Sequence, residues 1–60
     1  MTLEEYRQQK EWSYSHLARM VGCSHATVAS RWCKGEMIPK PKHMEQIIKL
    51  TQGAVSPNDF

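Results

Sequence analysis

Between Glu11 and Glu36 this chain has no carboxylate at all. Aspartate is scarcer still: Asp59 is the only one, and it lies in the C-terminal tail. A stretch so poor in acid offers no paired-carboxylate site, and no Ser-His-Asp constellation appears either. Two cysteines, Cys23 and Cys33, are too few for a disulfide framework. Both fall among apolar positions, which fits thiols tucked inside in a reducing cytoplasm. Cys23, His25, Cys33 and His16 are metal-ligand types, but their spacing matches no zinc motif, so no metal is expected. No apolar run reaches membrane-spanning length, and no signal peptide is visible. Repeats and low-complexity segments are absent. Sixty residues form one domain, 1–60, that buries only about 60% of its unfolded surface. That leaves no room for a large enclosed pocket. An enzyme, a cofactor, a small-molecule substrate and a membrane partner are all unexpected.

What the chain does have is positive charge in one place. Residues 12–42 carry Arg19, Arg31, Lys34, Lys40 and Lys42 against Glu36 alone, a net charge of +4. The flanking segments, 1–11 and 43–60, are each −1, so the whole chain is +2. A field concentrated in the middle third suits a polyanion. An ordinary solvated face accounts for the charge equally well, so the pattern of elements must decide.

Thr2-Leu3-Glu4-Glu5 is a capping-box pattern, and a first helix is expected over about 2–10, with Trp12 turning back onto the core. Ser13 is placed to cap a second helix, about 14–21, whose apolar face is Leu17, Ala18 and Val21. Gly22 ends it by taking the left-handed conformation. Ser24 is expected to cap a third helix, about 25–34, with Val28 and Trp32 inward and Gly35 at its end. In "EMIPKP", Pro39 and Pro41 break the helix and Ile38 is expected to tuck inward. A fourth helix, about 43–51, repeats Met44, Ile47, Ile48 and Thr51 at i, i+3, i+4 and i+7. Gly53 closes it. The tail, 52–60, runs extended at Ala54 and Val55, or opens a last helical turn at Ser56-Pro57, with Phe60 packing. The fold class expected is all-α, a compact four- to five-helix bundle.

A helix, a glycine turn and a second short helix make a helix-turn-helix. With Val28 and Trp32 inward, Ala26, Ser30 and Lys34 face outward, Thr27 and Arg31 lie on one flank and Cys33 on the other. Such a face is narrow enough for a DNA major groove. Base edges would be read by His25, Ala26, Ser30 and Arg31. Ser13, Tyr14, Ser15, Thr27, Lys34, Lys40 and Lys42 suit phosphates, as do the free N–H groups opening the second and third helices.

At these residues the chain resembles a known family. "WSYSHLARMVGCSHATV" resembles the signature of the Cro/repressor (XRE-type) helix-turn-helix family of phage and bacterial transcriptional regulators. "KGEMIPKP" and the ending "TQGAVSPNDF" are also similar to its short members. The match runs over nearly the whole chain. It departs in one place: Trp32 stands four residues after Val28, where the family keeps three, as if "ASRW" had gained a residue. Ser30 and Arg31 therefore compete for the main base-reading position. Tyr14 stands where the family often has Gln. The resemblance implies a lambda-repressor-like fold and a sequence-specific repressor in a bacterial cytoplasm or nucleoid, of phage, prophage or host origin. It also implies a double-stranded DNA operator with inverted repeats, bound by a homodimer joined through the fourth helix and tail.

Two other classes stay open. The fold can serve as a protein-interaction module, an antitoxin or antirepressor. It can also bind single-stranded nucleic acid, but that needs exposed aromatic platforms. Trp12, Trp32 and Tyr6 sit at core spacing, and Tyr14 alone is no platform.

Overall fold

A computed structural model describes residues 1–60. The chain is all-α: α1 (Leu3–Lys10), α2 (Tyr14–Val21), α3 (Ala26–Lys34) and α4 (Pro41–Thr51), followed by one 3-10 turn, Pro57–Asp59. No helix is long and apolar enough to cross a membrane.

Local chemistry sets most of the helix ends. The Glu5 backbone N–H donates to Thr2 Oγ1 (3.1 Å), and the Thr2 N–H donates to Glu5 Oε1 (2.9 Å), closing the capping box of α1. Ser13 Oγ accepts from the His16 N–H at 3.1 Å and caps α2. At the far end of α2, Gly22 adopts φ +83°. The Cys23 N–H then folds back to the Ala18 carbonyl at 2.8 Å. This is the 6→1 closure that lets a chain leave one helix and enter the next within four residues.

Leu3, Leu17, Ala18, Val21, Ala29, Trp32, Ile47 and Val55 form the core, each at most 3% exposed. α2 packs against both α3 and α4, and α1 packs against α3. Thr51 carries the one buried polar hydroxyl and holds the tail. Its Oγ1 donates to the Ile47 carbonyl (2.8 Å) and accepts from the Val55 N–H (3.1 Å). Val55 is thereby locked beneath the helices, and Phe60 packs against the same cluster. The 3-10 turn has its own capping box, Ser56 with Asp59.

Four expectations need correction. Val28 is only half-buried, and Ala29 takes the inward place beside Trp32. Ser24 does not cap α3: His25 holds the N-cap position in an extended conformation, with no side-chain cap bond. Ile38 does not tuck inward. It is 67% exposed, and its neighbour Pro39 is buried instead. Proline has no N–H to desolvate, so burying it costs less than burying a residue that has one. Finally, α4 begins at Pro41 rather than His43. Proline at the first helical position loses a donor that has no intrahelical partner anyway, and its fixed φ suits the helix.

Candidate nucleic-acid interface

The inward pair on α3 decides which side chains face out. Ala29 and Trp32, three residues apart, are the buried residues of α3. At 100° per residue, exchanging Val28 for Ala29 turns the outward face by about 50°. Thr27 moves from the flank to the middle, beside Lys34, and Arg31 stands next to them. All three are exposed. Ala26 and Ser30 are half-buried on the side nearer α2.

Six of the residues read as DNA contacts meet in one shallow hollow. Ser13, Tyr14 and Ser15 from the start of α2 line it with Ala26, Thr27 and Ser30 from α3. His25 and Lys40 lie on the other flank of α3. There they rim a second hollow with His43, over Val28, Trp32, Met37 and Ile38. Arg31, Lys34 and Lys42 are exposed and belong to neither hollow. Ser13 has already committed its oxygen to the α2 cap. No side chain of α2's or α3's first turn is acidic, and α3 has Arg31 and Lys34 in its last turn. The first N–H groups of α3 have no side-chain cap. They are left to water or to an anion.

Behind Tyr14 lies a group that sequence reasoning missed. The Arg7 guanidinium stands over the Tyr14 ring, 4.4 Å from its centroid. Arg7 Nε and Nη2 donate to the Glu4 carboxylate at 2.9 and 2.6 Å, and Nη1 donates to the Trp12 carbonyl at 2.8 Å. The Arg7 bond holds the Glu4 carboxyl below the usual carboxylate range. The Glu4–Arg7 pair was legible at i,i+3 spacing; nothing in the sequence joins Arg7 to Tyr14. His16, exposed, and His43, half-buried, each lie against a tryptophan. Centroid distances are 4.9 Å to Trp12 and 5.2 Å to Trp32.

Cys33 is half-buried on the α1 side of α3. Burial first, then the Glu4 charge, pushes its thiol up to about 12. At pH 8 that leaves roughly one thiolate in ten thousand, and only the thiolate is nucleophilic. Iodoacetamide at pH 8 should therefore label Cys33 far more slowly in the folded protein than in urea, as read by mass spectrometry of the digested chain. Equal rates would show an open thiol. No group of three His, Cys, Asp or Glu side chains gathers at metal-binding distance.

A helix-turn-helix family model matches residues 3–58. No curated protein and no solved structure gives a significant match. The match spans all four helices, the glycine turn and the acid-free third helix, and the chain belongs to the Cro/XRE-type helix-turn-helix family of DNA-binding transcription regulators.

Proposed function

We propose that the protein is a sequence-specific repressor. It binds an inverted-repeat operator as a homodimer, with α3 in the major groove, and represses by covering the promoter. The single observation that carries this reading is the exposed, acid-free face of Thr27, Arg31 and Lys34 beside the hydroxyl-lined hollow. A carboxylate on this face would repel DNA phosphates, and none is present.

Within this reading Arg31 and Ser30 flank Thr27 and read bases, with Ala26 and His25 nearer the helix start. Lys34, Lys40, Lys42, Ser15 and Tyr14 meet phosphates, and Ser13 presents the α2 N-terminus. Two copies of α3 must lie about 34 Å apart to enter successive major grooves. The tail's apolar side chains, Val55 and Phe60, are spent on the protein's own core. The dimer surface is therefore assigned to α4, where Met44 and Ile48 line an open hollow with Pro39, Pro41, Glu45 and Lys49. A two-fold axis there would set Glu45 of each copy near Lys49 of the other.

Gel-shift binding to the DNA upstream of its own gene, at two salt concentrations with random competitor, tests the reading. Arg31→Ala should cost roughly 1–3 kcal/mol and relax preference at one base position. Lys40→Ala should weaken specific and random DNA alike and lower the salt slope by about one. If neither variant changes binding, the face assignment is wrong. If the wild type gives no shift, the protein-partner reading takes its place.

A further inference from the structure

Arg7 is the most constrained cation in the protein, yet it lies beside the hollow and not on the exposed face of α3. Its side chain is 18% exposed. Three of its N–H donors are committed, two to Glu4 and one to the Trp12 carbonyl. One face of the guanidinium is covered by the Tyr14 ring. Glu4 neutralises the charge at 2.6 Å. So held, Arg7 is poorly placed to serve as a phosphate-binding cation. It is well placed to hold other groups still. A planar fork with three of its five N–H donors committed, and a ring against one face, holds that ring in position.

The ring it fixes belongs to the first residue of α2, at the lip of the hollow shared by Ser13, Ser15, Ala26, Thr27 and Ser30. The carbonyl it holds belongs to Trp12, the residue just before the α2 N-cap, Ser13. One side chain from α1 thus sets both the phenol and the backbone entering α2.

We infer that Arg7 is a positioning residue for DNA binding: clamped by Glu4 and the Trp12 carbonyl, it stacks on Tyr14 and holds the Tyr14 hydroxyl where a DNA phosphate meets the start of α2. The inference rests on the proposed DNA reading of that face and adds to it a residue that does not touch DNA. Fixing the phenol beforehand spares the ordering cost that a free tyrosine would pay on binding.

A double-mutant cycle tests it, using a random-sequence duplex and a fixed salt concentration. Tyr14→Phe keeps the ring on Arg7 and removes only the hydroxyl. Arg7→Lys keeps the charge and loses the fork and the stacking. Each should weaken binding about tenfold, the scale of one hydrogen bond to a charged group at a partly exposed site. The double variant should be no weaker than the weaker single, because both changes remove the same contact. The salt slope should stay at the wild-type value in Tyr14→Phe and Arg7→Lys, since neither removes a phosphate-bound cation. Circular dichroism first establishes that each variant is folded at the binding temperature. Should Arg7→Lys fail to fold, Glu4→Gln loosens the same clamp and takes its place in the cycle.

Losses that add, an Arg7→Lys protein that binds like the wild type, or a Tyr14→Phe protein that binds like the wild type would each overturn the role given to Arg7. Wild-type protein that binds no duplex overturns the parent reading instead, so the two failures are told apart.

Discussion

Thr27→Glu should leave the protein at least as stable as before and cost it DNA binding by roughly 100-fold or more, because like charges set face to face cost several kcal/mol. The two effects have opposite signs for one reason each. Thr27 is the second residue of α3 and fully on the surface, so the new side chain displaces no packing. A carboxylate in the first turn of a helix interacts favourably with the uncapped N–H groups, by about 0.3–1 kcal/mol. α3 has no acid there now. On stability alone that omission is a missed gain, and a phosphate partner accounts for it. The same carboxylate would stand in the middle of the face that enters the groove. Gln9→Glu, an equal change of charge at an exposed site on α1, is the control and should shift binding only slightly. Thermal melts and gel shifts on both variants decide the matter. A Thr27→Glu protein that still binds operator DNA well would show that α3 does not face the duplex.

Trp32→Ala should leave the chain largely unfolded. Trp32 is 3% exposed and is the largest side chain in the core. Truncating a buried Trp costs about 3–5 kcal/mol. A core in a chain of this size supplies little more than about 3–5 kcal/mol in total. Far-UV circular dichroism should lose most of its helical signal at 25 °C. Ile38→Ser should do almost nothing, within about 0.5 kcal/mol, because Ile38 stands in solvent. An Ile38→Ser protein destabilised by several kcal/mol would restore the inward placement that hydrophobicity alone suggests.

The two variants also mark where the sequence is legible. Caps and the glycine turn are local chemistry, and Thr2 with Glu5, Ser13 with His16, and Gly22 all do what their neighbours in sequence dictate. The rotation of α3 is not local. Val28 with Trp32 and Ala29 with Trp32 are both valid helical pairs, at i+4 and i+3, and both Val and Ala are apolar. Only packing against α1 and α2 selects Ala29, whose small side chain lets α3 sit close. Pro41 poses a similar ambiguity, since proline both stops one helix and starts the next. Ile38 is the more hydrophobic of its pair, yet Pro39 is the one buried, a choice made by how the connector meets the core and not by side-chain hydrophobicity. The hollow could be assembled from the sequence, because its residues flank one short turn. The Arg7 clamp could not, because a stack between residues seven apart across a loop leaves no periodic trace.

The central claim is that α3 enters the major groove of specific duplex DNA. The most direct measurement selects bound duplexes from a random pool and then maps dimethyl sulfate methylation on the selected site with the protein bound. Guanine N7 lies in the major groove and adenine N3 in the minor groove. The account predicts an enriched inverted repeat, with protected guanine N7 positions in two patches about one helical turn apart. A pool with no enriched sequence, or protection confined to adenine N3, would contradict it.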